Sequence, residues 1–379
     1  MTRLIVAGGG GGDAVAAVML DAALYGMDDR AVILTYAWDR LLIDPVPGPR
    51  GPADFTRLQP LTPSVSAVPA EATLMPPAGS TLPRLAAELP HTFALVNPYC
   101  GVQGMARQIE ELIDRLDPVS VDLLDVGGDI LAQGDEPTLR SPLADALSLA
   151  ACARIDAPVR LLVAGPGLDG EIPVETLRDR LGPVIHNLTA EEATRVGAVM
   201  EWHPSEATAM LTATARGARG LCEIRDAGLP VPLTDDGPTV HESDLGAAFE
   251  SNRLASAVAT TTSLAEAEQH SRDICGYSEI DYERDKATRL GTLPASAFDP
   301  DAVLRRIDRF QAEARARGIT HTTFRRLAEV LGISGAQRTE LRDLLLKTHP
   351  DQYAAPLWRL TPRGREVPAP RACDPLRNA

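Results

Sequence analysis

The chain has 379 residues, 44% apolar and 23% charged, and its 37 basic and 52 acidic residues leave a net charge of −15. This is the balance of a globular chain rather than a disordered one, and the length suits one large domain with an appendage. An acidic total argues against nucleic acid as a partner, since that binding rests on neutralising phosphates.

No window approaches the roughly 18 to 20 apolar residues of a membrane span, and Met1-Thr2-Arg3 runs into an apolar strand with no small-residue cleavage site, so no membrane association and a cytoplasmic location are expected. Five scattered cysteines offer neither a disulfide framework nor a CxxC metal knuckle. The only lysines are Lys286 and Lys347, which excludes Schiff-base chemistry and a P-loop lysine from the preceding three quarters of the chain.

In chain order, residues 3–7 read as a buried strand, Gly8 to Gly12 and Asp13 as a loop, and Ala14 to Leu24 as a helix. A second strand follows at 31–36, the spacing of one βαβ unit. Residues 44–90 are rich in Pro, Gly and Ser and read as a long insertion with one strand near Ala72–Met75. Strands are predicted at 92–96, 121–126 and 159–164, with helices near 101–116 and 142–154. Ser141 before Pro142 reads as a helix cap, as do Thr189, Ser263 and Ser334 at capping-box spacing. Leu229–Leu233 is expected to add the last strand of the sheet. The result is a Rossmann-like, doubly wound, mostly parallel α/β sheet over 1–290, with an Arg-rich helical region over 291–379.

Three successive strands end in glycine plus carboxylate. In an open α/β sheet such ends face one ligand crevice, so the glycine loop Gly9, Gly10, Gly11, Gly12 with Asp13, the pair Gly127 and Gly128 with Asp129, and Asp169 with Glu171 form its expected rim. Paired carboxylates there suit acid–base work, hold ribose hydroxyls or coordinate Mg²⁺, and Asp129, Asp169 and Glu171 are the candidate catalytic groups. Asp39 stands where a ribose carboxylate would, Arg50 where the proline-rich loop could clamp an anion, and Asn97, Tyr99 and Glu136 add polar groups. His203 and Glu206 lie at i, i+3, but Pro204 and the lack of a partner histidine favour a cap or core role, and no metal site is assigned. Phe324 to Ser334 has the layout of a helix-turn-helix, which fits any packed helical hairpin as well.

Taken together, the Gly8–Asp13 loop, Trp38-Asp39-Arg40 with the 44–50 segment, Asp125–Asp129 to Asp145, and Gly165–Glu171 resemble the domain-of-unknown-function family 1152 of archaea and actinobacteria over roughly residues 3–290. The resemblance implies a Rossmann-like ligand-binding fold and brings no reaction with it. An arginine-rich, lysine-poor chain is similar to those of high-GC actinobacteria, where such a gene would serve specialised metabolism.

The leading expectation is an enzyme, a transferase or hydrolase, that binds a nucleoside, nucleotide or sugar-containing small molecule and works through carboxylates. An NAD(P)-dependent oxidoreductase, drawn from Gly9-x-Gly11-x-x-Ala14 with Asp39, comes second, and a metabolite sensor with a helical tail third. The cofactor is left between NAD(P) and Mg²⁺. The apolar helices at 141–155 and 243–260 read equally as core or as the face of a homo-oligomer.

Overall fold

A computed structural model describes residues 2–26, 30–225, 229–291, 298–333 and 337–360. The five expected strands form as Leu4–Ala7, Val32–Thr35, Thr92–Leu95, Val121–Val126 and Arg160–Ala164, all parallel. Across the sheet they lie in the order third, second, first, fourth, fifth. The winding therefore reverses between Leu4–Ala7 and Val121–Val126, and their carboxyl ends part to leave a crevice.

Side chains alternate between the faces, as strand pleating requires. Leu4, Val6 and Leu123 pack with helices Gly101–Leu116 and Pro142–Arg154 on one face. Ile5, Ala7 and Leu124 pack with helices Gly11–Tyr25 and Glu206–Ala215 on the other. The fold is thus an α/β sandwich built around a doubly wound sheet, with antiparallel strands at both edges.

The strand Leu229–Leu233 forms but does not extend this sheet. It makes a hairpin with Gly220–Ile224 at the edge of a second, five-stranded sheet. Pro230 and Pro232 explain the placement: both fall in the ladder, neither can donate to it, and an edge strand tolerates that where a central one does not. The last strands of the main sheet are instead Thr239–Ser243 and Val184–Asn187.

The C-terminal region is mainly helical, with Pro300–Ala316, Phe324–Leu331 and Arg338–Thr348. It also supplies His321–Thr323, Tyr353–Ala354 and Leu357–Arg359 to the second sheet, strands too short to announce themselves by periodicity. Thr189 forms its capping box, and Ser263 accepts from the Glu266 amide. Ser141 caps nothing; its hydroxyl donates to Glu171 instead. Ser334 lies outside the described residues.

In the helix-turn-helix-like segment the arginines turn inward. Arg326 pairs with Glu223, and Arg325 with Glu206 and Glu329. Glu223 is fully buried and also meets Arg317 at 2.5 Å, so one carboxylate ties the second sheet to helices Pro300–Ala316 and Phe324–Leu331. Removing one partner of a buried ion pair leaves the other uncompensated, so Glu223→Ala should cost roughly 3 kcal/mol, read as a lower urea midpoint.

Candidate functional site

Four backbone turns meet at the reversal point of the main sheet. After Leu4–Ala7 the chain passes Gly10 at φ 114°, a conformation open to glycine, and starts helix Gly11–Tyr25. Gly12 is required by proximity: a Cβ there would come within 2.3 Å of the Ser205 hydroxyl. Asp13, in the first helical turn, folds back to accept the Gly9 amide at 2.6 Å. After Val121–Val126, Gly127 and Gly128 at φ 125° and 102° turn the chain, and the Gly128 amide donates to Asp125. The loop after Arg160–Ala164 brings Asp169 and Glu171, and the first turn of helix Pro142–Arg154 brings Asp145.

The resulting crevice is about 790 Å³ including its mouth. Its walls carry Asp13, Asp39, Asp125, Asp129, Asp145, Asp169, Glu171, Glu206 and Glu279, with His203 beside Gly11, and the basic residues Arg40, Arg225 and Arg325. Several polar atoms are buried there without a hydrogen-bond partner: Asp145 Oδ1, Asp169 Oδ2, Glu279 Oε2 and His203 Nε2. Buried polar groups are paired as a rule, so four orphans on one cavity are exceptional.

Burial raises the carboxyls of Asp125, Asp129 and Asp145 well above the ordinary range, and repulsion from neighbouring carboxylates adds to the rise, from Asp13 and Asp169 on Asp125, from Asp145 and Asp125 on Asp129, and from Asp125 and Asp13 on Asp145. Burial likewise lifts Asp13 and Asp169 to about 7 and Glu279 to about 8. Glu171 goes the other way. Burial works to raise it, but the Arg225 guanidinium, the Ser141 hydroxyl and the amides of Arg140 and Ser141 prevail and keep it ionised. His203 is pushed down to about 3 by burial, with Arg338 adding to the effect, and is neutral.

The expected rim residues divide. Gly9, Gly11, Gly12, Asp13, Asp39, Asp129, Asp169 and Glu171 line the crevice, whereas Gly10, Gly127 and Gly128 shape its turns. Glu171 lines it without a free oxygen, so its expected catalytic part gives way to holding Arg225 and the Arg140–Ser141 backbone. Asp39 spends both oxygens on Ser80 and Thr81, which removes the ribose-anchoring part expected of it.

Arg50 is not an anion clamp. Its guanidinium donates to the carbonyls of Val46, Pro47 and Gly48 and pairs with Asp44, closing its own loop. Asn97 accepts from the Tyr99 amide, and the Tyr99 hydroxyl donates to the Pro49 carbonyl, away from the crevice. Glu136 accepts from the Gln133 and Gly134 amides and pairs with Arg180, beside a separate recess.

The sequence expectation leaves Glu279 out of the site, takes His203 as a cap or core residue, and counts Asp145 only with the acidic segment that follows the fourth strand. Asp125 and Asp145 do carry a signal, because each sits at or just past a strand or helix end in the same glycine-rich segment. Glu279 begins helix Glu279–Gly291, and nothing in its local sequence points to the crevice; Arg225 follows Gly220–Ile224, and of Arg216, Arg219 and Arg225, each able to grip an anion but expected as solvated helix charges, Arg225 lines the crevice. Arg225 has φ 54° and bridges the Asp169 carbonyl and Glu171.

Fold and site together define an open α/β protein with a deep acidic crevice at its switch point. Its sequence matches the model of the family described as "Protein of unknown function (DUF1152)" over residues 4–287, and the chain belongs to that family. No curated protein and no solved structure matches it. Among the described residues no helix is long and apolar enough to cross a membrane.

Asp169 and Glu279 keep in the folded state protons that the unfolded chain releases near pH 4, so they contribute stability that is fully present below that pH and is lost as pH rises through about 7 and 8. His203, depressed to about 3, acts with the opposite sign, and its effect is confined below about pH 6.5. Thermal unfolding of the metal-free protein should therefore fall in Tm from pH 6.5 to 9, with a shallower fall for Glu279→Gln.

Proposed function

We propose that the crevice is the active site of an enzyme that binds a hydroxyl-rich small molecule, a nucleoside or another sugar-containing metabolite, and carries out group transfer or hydrolysis with carboxyl groups. The observation that carries this reading is the set of unpartnered buried atoms on one cavity: Asp145 Oδ1, Asp169 Oδ2, Glu279 Oε2 and His203 Nε2. Hydroxyls both donate and accept, so a polyol would satisfy carboxylates, a protonated carboxyl and a neutral imidazole at once.

Within such a site Asp169 is the proton-transfer group. One of its oxygens is fixed by the Glu171 amide at 2.9 Å, the other is unpartnered, and a carboxyl near 7 gives and takes protons at neutral pH. Asp129, buried and crowded by Asp145, Asp125 and Asp169, is held protonated beside Asp125 and serves as a proton reserve at the wall of the site. Glu171 and Arg225 keep the Asp169 loop in place.

A dinucleotide fits less well. The pyrophosphate of such a cofactor sits at the helix start after the first strand, where Asp13 stands, and Asp39 is already bonded to Ser80 and Thr81. A DNA-reading tail likewise loses the arginines that would face outward.

The test is a thermal-shift screen of purified protein against nucleosides, nucleotides, NAD(P) and sugars, with product analysis by mass spectrometry. A sugar-containing compound should raise Tm and be converted, and Asp169→Asn should cut turnover by roughly 10²-fold or more while the Tm shift remains. If NAD(P) alone shifts Tm, or if compounds bind and Asp169→Asn turns them over at the wild-type rate, the reading is wrong.

A further inference from the structure

Asp13, Asp125 and Asp145 come from three separate segments: the first helix, the fourth parallel strand and the helix Pro142–Arg154. One carboxylate oxygen from each lies within 4.8 Å of the other two, and all three residues are buried. A hard cation held at about 2.1 to 2.5 Å from each oxygen needs oxygen pairs roughly 3 to 5 Å apart, and this spread meets that requirement.

A second observation points to a missing ligand. Asp145 Oδ1 has no partner, and on the same cavity neither do Asp169 Oδ2 and His203 Nε2, in residues 8% and 7% exposed. Buried like charges at this separation cannot all ionise unless an opposite charge joins them. The arginines of the crevice do not balance the three: Arg225 and Arg325 are paired with Glu171 and with Glu206 and Glu329, and Arg40, whose charge acts on Asp13, is a single cation that also lies 3.9 Å from Glu279.

We infer that Asp13, Asp125 and Asp145 form a divalent-cation site for Mg²⁺ or Mn²⁺, with its remaining coordination positions turned to the crevice. An all-oxygen donor set selects hard cations over zinc or copper. Mg²⁺ and Mn²⁺ keep several water ligands, so the open positions are where an oxygen of the substrate would replace water. The inference rests on the crevice being the active site and names the ion that works there.

The probe is Mn²⁺ followed by electron paramagnetic resonance, titrated into the 379-residue chain after dialysis against a chelator. Wild type should take up on the order of one ion per chain in a saturable manner, displaced by excess Mg²⁺, and Asp145→Asn should weaken uptake by at least the ~10-fold that loss of an outer-shell partner costs. Glu110→Gln, an exposed acidic residue on helix Gly101–Leu116, should bind as wild type does.

Without metal, Asp145→Asn should melt at or above the wild-type temperature, because an amide of the same shape brings no charge to the cluster at any pH, and Mn²⁺ should no longer raise its Tm. Should that variant fail to fold, Asp13→Asn is titrated in its place. Absence of saturable uptake by wild type overturns the inference, as does uptake unchanged in the folded variant. The titration reads no turnover, so its failure leaves the enzymatic reading standing, and a failed substrate screen leaves the titration interpretable.

Discussion

Repulsion among buried carboxyl groups is the constraint around which the rest of the molecule is arranged. Asp13, Asp125, Asp129, Asp145 and Asp169 crowd one point, and burying them costs far more than solvated surface charges would. The fold opposes that cost with rigid backbone: the doubly wound sheet fixes the strand ends, tight glycine turns aim them, and amides of Gly9, Gly128 and Glu171 bond the carboxylates of Asp13, Asp125 and Asp169. A site that works against its own stability in this way is typical of strain kept for function.

The second sheet completes this arrangement. Glu206, at the start of helix Glu206–Ala215, takes the Arg225 amide, the Thr323 hydroxyl and Arg325, so one side chain joins the hairpin, the C-terminal strands and the helix after them. Through Arg225 the same assembly reaches Glu171 and the Asp169 loop. Helices that look like an appendage in the sequence thus form part of the wall.

How much of this is legible in the amino-acid sequence follows from the range of each signal. Strand ends with glycine and carboxylate are local patterns, and they are enough to bring Gly9–Asp13, Asp129 and Asp169 to one crevice. What local pattern omits is where a side chain is already engaged. Arg50, Asn97, Tyr99 and Glu136 are chemically suitable, yet each satisfies nearby backbone first. Long-range partners are hidden for the opposite reason: Glu279 and Arg225 reach the crevice only through helix and hairpin packing. Proline spacing in Leu229–Leu233 is an edge signal, and hydrophobic pattern alone assigns that strand to the wrong sheet.

The crevice draws on residues from Gly9 to Arg325. A nascent chain that has emerged only as far as Asp169 has its glycine turns and most of its carboxylates but lacks Arg225, Glu279 and Arg325. The arginine that holds Glu171 and the enclosing wall therefore arrive late in synthesis. The aspartates that crowd one another all lie before residue 170, so what the later segments add is the enclosure that takes them out of water.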